Sequence, residues 1–211
     1  VRIFCHILRE SDGSHGYNST EILEAIKVLK ASYIPHNICF SLKGIDYIDS
    51  DYFSAVKLAR HDTLFIQNKN SNAIDIYFAP KNTAYNRGFA RSFLIANYVN
   101  DAVVLGGILN GIDVIGSNIL SHEIAHVLGL LHVFSNSICA EFVNGTNCSL
   151  CGDLICDTDA SPNIAQNLNL VNDATCQYIG TITDINGDSY NPDPTNIMDY
   201  SFLDCMTRFS V

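Results

Sequence analysis

Residues 122–132 read HEIAHVLGLLH, and no other stretch limits the fold as tightly. Isoleucines, leucines and valines around His122 give helical periodicity from about Val114 to Leu128. Residues four apart on a helix differ by about 40° around its axis, so His122 and His126 project from one face. Glu123 is rotated away from that pair, which sets its carboxylate beside whatever the imidazoles hold. Gly129 suits the left-handed conformation that ends a helix, and the turned chain then carries His132 back as a third imidazole.

Three imidazoles so arranged suit one zinc ion, and three protein ligands leave a fourth position for water. Zinc lowers the pKa of such a water toward neutrality, and a nearby carboxylate takes its proton. Glu123 is the general base by position, and it later hands the proton to the leaving amine. The other four histidines, His6, His15, His36 and His61, lack this spacing and read as hydrogen-bonded structural residues. Met198 follows His132 by 66 residues, in NIMDYS, and is one of only 2 methionines. Tyr200, two residues on, carries a phenol, a group that could reach a zinc or a developing oxyanion. The eleven-residue pattern followed by such a methionine is the metzincin signature.

The rest of the chain fits a compact globular protein. Its 211 residues are 47% hydrophobic with a mean hydropathy of +0.13, enough for one domain or two closely packed lobes. No apolar run reaches the length of a membrane-spanning helix. A start at Val1, without an initiator Met, suggests a processed segment of a longer precursor. Of 8 cysteines, Cys139, Cys148, Cys151, Cys156, Cys176 and Cys205 fall in the last third, among loops rich in Asn, Asp and Gly. Disulfides in a secreted protein are the expected state. The competing reading is a second zinc site at Cys148-x-x-Cys151, although Cys151 and Cys156 lack the matching spacing.

Charge is uneven along the chain. Up to Arg91 there are 11 basic and 9 acidic residues, whereas from Ser92 onward 13 acidic residues are joined by Arg208 alone. An acidic half argues against nucleic acid, whose binding rests on Lys and Arg meeting phosphate. It fits cationic partners, metal ions or basic peptides, or solubility alone.

Periodicity outlines a mixed α/β lobe about 130 residues long, followed by loops. Residues 1–8 read as a buried strand, and Thr20–Leu29 as a helix with Ser19 or Thr20 as N-cap, closed before Pro35. NICFSLKGIDYI and AIDIYFAP (73–80) read as further strands, and 93–105 as two short strands meeting near Asn100-Asp101. The histidine helix follows.

At this point the chain resembles the pappalysin-like metzincins, the family that includes the cytophagalysins. The likeness is strongest from Gly116 to Phe209. It rests on HEIAHVLGLLH, CGDLICDT (151–158), CQYIGTITDINGDSYNPD (176–193) and NIMDYSFLDCMTRF (196–209). The resemblance implies an α/β (α+β) zincin fold of metzincin type over residues 1–211. Its upper lobe, about 1–130, would hold a twisted, mostly parallel sheet with two long helices. Its lower lobe, about 131–211, would be irregular and stapled by disulfides.

The same resemblance implies a secreted zinc endopeptidase acting on proteins or peptides and made with a prosegment. His122, His126 and His132 take the ligand roles, Glu123 the base and Tyr200 the oxyanion partner. Met198 lies beneath the metal, Asp153 and Thr158 near a structural calcium, and Cys176 pairs with Cys205. A Cys148–Cys156 bridge is expected beside it. An aspartate matching Asp204 sits in the pocket just beyond the scissile bond and favours Arg or Lys there. This chain departs from the family at Asp159, where relatives have proline, and at Leu203, where they often have a second aspartate. It also stops at Val211, where relatives continue into a helix. The alternative to an enzyme is a catalytically silent, zinc-stabilised binding or inhibitory module. Such modules typically lose the base or a ligand, and here both are present. A hydrolase for small non-peptide substrates is the third reading.

Overall fold

The computed structural model describes residues 1–56, 61–81, 87–91, 101–109, 111–134, 139–164 and 167–210. The chain divides into two compact units, Val1–Gly129 and Leu130–Val211.

The first unit is built on a five-stranded sheet. Its strands are β1 (Arg2–Arg9), β2 (Ser41–Asp49), β3 (Ile74–Ala79), β4 (Arg87–Arg91) and β5 (Ala102–Gly106), in spatial order β2-β1-β3-β5-β4. All neighbours run parallel except β4, which pairs antiparallel to β5 at one edge. β3 and β5 are buried along their whole length, as parallel strands covered on both faces must be, and this is why they read as unbroken apolar runs. One face packs Leu8, Tyr77, Ala79, Ala102 and Val104 against Val56, Leu64 and Phe65. The last three lie in and after two single-turn helices, α2 (Asp51–Ser54) and α3 (His61–Leu64).

Helix α1 (Ser19–Tyr33) buries Ile22, Ala25, Ile26, Leu29 and Tyr33. Its N-cap is Asn18, not Ser19 or Thr20. Asn18 Oδ1 accepts from Glu21 N (3.1 Å) while Glu21 Oε2 accepts from Asn18 N (2.9 Å), a reciprocal capping box. The helix runs past Leu29 to Tyr33, and Pro35 sits in a 3-10 turn, Ile34–His36. Asn37 then turns left-handed (φ 59°), so the second strand starts at Ser41 and not at Asn37. His6 is fully buried, with Nδ1 2.6 Å from Asp46 and Nε2 3.0 Å from Asp75, a structural bridge across β1, β2 and β3. Of the two strands expected over 93–105, one is seen as β5; the other falls within 92–100, outside the described residues.

The histidine helix α4 spans Ile119–Val127. Val114–Gly116 form a separate 3-10 turn, with Asp113 accepting from Ile115 N at 3.3 Å. Of the two long helices expected, α1 therefore has 15 residues and α4 only 9.

The second unit is irregular. Its two short strands, β8 (Val171–Asn172) and β9 (Gln177–Tyr178), follow β6 (Ile108–Leu109) and β7 (Ile112–Asp113) of the first unit. Disulfides Cys139–Cys151, Cys148–Cys156 and Cys176–Cys205 cross-link it. Because Cys148 and Cys151 belong to different bridges, the reading of that pair as zinc ligands is excluded. Among the described residues, no helix is long and apolar enough to cross a membrane.

Candidate active site

Helix α4 is held against α1 by buried polar contacts. Tyr33 donates its phenol to Ser121 O (2.9 Å), Ser121 Oγ donates to Ser32 Oγ (3.0 Å), and Ser32 Oγ lies 2.9 Å from Asn118 Oδ1. On its other side α4 packs against β4 and β5. These contacts leave the helix little freedom to rotate, so the directions of His122, Glu123 and His126 are set by the first unit's core.

His122 and His126 meet as their spacing requires. Their Nε2 atoms are 3.1 Å apart, with the ring planes at 88°. Gly129 N–H bonds back to His126 O (3.0 Å), and Gly129 takes φ 103°, the turn that lets the chain double back. Within the continuous segment 122–132, one ring nitrogen of each of His122, His126 and His132 lies within 4.8 Å of the others. Three imidazoles crowded edge to edge are poor hydrogen-bond partners for each other but a good donor set for one borderline-soft cation, which fits zinc.

Glu123 is 7% exposed, and burial pushes its carboxyl up to about 8. Its carboxylate lies against the backbone of Gly88 on the edge strand β4, where any side chain would collide with it. Sequence periodicity alone did not single out Gly88.

In the second unit, the turn carrying Met198 is tightly bonded. Asn196 Oδ1 accepts from Met198 N (2.8 Å), Asp199 Oδ1 from Tyr200 N (2.8 Å) and Asp199 Oδ2 from Ser161 Oγ (2.9 Å). Met198 is 3% exposed and Asp199 fully buried; burial pushes the Asp199 carboxyl up to about 6. The Val133 N–H donates to Met198 O (3.2 Å), joining the turn after His132 to this one. The Tyr200 ring stands edge-on to His132, centroids 4.5 Å apart, and remains 40% exposed. Asp204 is exposed. Arg208, its nearest cation in sequence, is committed to Asp193 (2.8 Å) and to Thr195 Oγ1 (2.8 Å).

A separate acidic group lies beside the disulfides. Asp153 and Thr158 are buried, and they are joined by Glu141, a residue no spacing pattern had marked. Glu141 Oε2 is buried with no hydrogen-bond partner among the described residues, and it lies against Gly152, which takes φ 63° and leaves room for it. Burial, then the charges of Asp153 and Asp159, push the Glu141 carboxyl up to about 7. An orphaned carboxylate oxygen among other carboxylates is a hard-oxygen donor set, which fits calcium.

No family profile matches the chain. An extracellular metalloprotease of Colletotrichum graminicola is 30% identical over 223 residues, covering 100% of this chain and 72% of the relative. One from Sordaria macrospora is 27% identical over 229 residues, covering 100% and 70%. Among solved structures, metalloproteinase-II from Bacteroides fragilis covers 64% of this chain and 44% of its own at 16% identity and a TM-score of 0.39, an overlap too loose to carry an argument.

Proposed function

Since this chain belongs to the extracellular metalloproteases, to one of which it is 30% identical along its whole length, we propose that it is a secreted zinc endopeptidase of the pappalysin-like metzincin type. The observation that carries this reading is the convergence of three imidazole nitrogens in the segment 122–132. His122, His126 and His132 would hold the zinc. When bound, zinc supplies a Lewis acid that polarises a peptide carbonyl, lowers the pKa of a water, and favours the ionised form of a nearby carboxylate.

Glu123 accepts the proton of the attacking water at a carboxylate oxygen and delivers it to the leaving nitrogen. Its burial against β4 keeps that oxygen from bulk water and narrows its range of positions. The Tyr200 phenol donates to the carbonyl oxygen as charge develops there. Met198 serves as the apolar support beneath the ligands, and its bond to Val133 favours that role.

Asp153 and Thr158, with Glu141 as a further ligand, would hold a structural calcium that would stabilise the second unit. Specificity comes from Asp204, whose exposed carboxylate would receive an Arg or Lys just after the cut. The resemblance further assigns a prosegment to the precursor.

The test is to incubate the protein with a complex peptide mixture, with and without a zinc chelator, and to sequence the new termini. Chelator-sensitive internal cuts are expected; their absence would overturn the reading.

A further inference from the structure

Phe134, two residues beyond the third histidine, has no polar side-chain atom and no part in the proton transfers above. Its ring nevertheless lies face to face on the His132 imidazole, centroids 4.8 Å apart with 8° between the planes. It also meets the Tyr200 ring at 4.9 Å and 55°, while His132 and Tyr200 touch at 4.5 Å and 61°. The three rings form a closed set, so that turning one displaces another. Face-on stacking by Phe134 covers one π face of His132 and does not itself occupy the ring edge, which carries both nitrogens. The backbone supports the same arrangement. Val133, between the two stacked residues, is bonded through N–H to Met198 O, two residues before Tyr200.

We infer that Phe134 is a positioning residue: it sets the plane of the His132 imidazole and holds the Tyr200 ring where its phenol meets the developing oxyanion. Tyr200 is 40% exposed, so part of its ring borders solvent while Phe134 packs against it. The inference rests on the proposed roles of His132 and Tyr200 and names what keeps them in register. Residues that orient metal ligands typically affect metal affinity or turnover by about 10–100-fold.

The experiment compares Phe134→Leu, which removes the ring, with Phe134→Tyr, which keeps it, in the wild-type and Tyr200→Phe backgrounds. Zinc affinity is read by chelator competition, and kcat and KM on a peptide. Phe134→Leu should lower kcat about tenfold with KM little changed and weaken zinc about tenfold, whereas Phe134→Tyr stays within about threefold. In the Tyr200→Phe background the kcat effect of Phe134→Leu should largely vanish while the zinc effect remains, because the first acts through the phenol. If the leucine variant does not fold, Phe134→Met takes its place. Equal zinc affinity and kcat in the leucine and tyrosine variants, or kcat losses that multiply fully in the double variant, would overturn the inference. Should the unmutated protein cleave nothing, the proposed function fails, and zinc affinity alone then decides the role of Phe134: a loss confined to the ring-less variant supports it, and equal affinities overturn it.

Discussion

Gly88 and Glu123 are in direct contact: a Cβ built on Gly88 would lie 2.7 Å from Glu123 Cδ and closer still to its carboxylate oxygen. The edge strand thus bears on the proposed base without a side chain of its own. Gly88→Ala should displace that carboxylate and lower kcat by about 100-fold, the scale of a misplacement of about 1 Å. KM and zinc content should change little. Unaltered kcat in a folded Gly88→Ala protein would show that the contact does not position the base.

Asp199 supplies a pH signature of the turn carrying Met198. Its folded pKa, about 6, lies above the unfolded value because burial disfavours the charge. The native state therefore holds the extra proton between those values. The stability it contributes is full below about pH 4 and is lost as pH rises through about 6, by at most about 3 kcal/mol. Asp199→Asn removes this component. Denaturant unfolding at pH 4 and pH 7 should show wild type losing more stability than the variant over that interval. Equal losses would contradict the assignment.

Calcium should raise the unfolding midpoint of zinc-saturated protein by several degrees, since a ligand bound only by the folded state stabilises it. Glu141→Gln should abolish most of that shift. A midpoint indifferent to calcium in the unmutated protein would argue that the acidic group around Asp153 holds no cation.

Much of the first unit is legible in the sequence, and the misses have local causes. β1, β3 and β5 announce themselves as apolar runs because both of their faces are covered. The N-cap of α1 is ambiguous by composition, since Asn18, Ser19 and Thr20 are all good caps, and Glu21 at the third helical position settles it for Asn18. Apolar periodicity runs straight through the 3-10 turn at Val114–Gly116, so it overstates the length of α4. The strand β4, RGFAR, has no run of apolar residues to mark it; its pairing with β5 and packing on α4 are long-range facts. The candidate site divides the same way. Three histidines and Glu123 sit within one short motif, while Gly88, Phe134 and Glu141 matter only through neighbours that the fold supplies.

Specificity tests the role given to Asp204. In a peptide library, the residue following each cut should be Arg, then Lys, because a carboxylate pairs with guanidinium through two parallel bonds and with ammonium as a point charge. Asp204→Ala should erase the preference and leave cleavage elsewhere intact. A strong preference for large apolar residues in the unmutated protein would show the pocket wrongly assigned.

The central claim is that one zinc and the Glu123 carboxylate together make this chain a peptidase. Its most direct test is Glu123→Ala, with zinc content and peptide turnover measured on the same sample. The account predicts about one zinc per chain in both proteins, and a turnover in the variant lower by at least about 100-fold, the scale of a lost general base. Near-normal turnover in the zinc-loaded variant, or a wild type that binds zinc and cuts nothing, would contradict it.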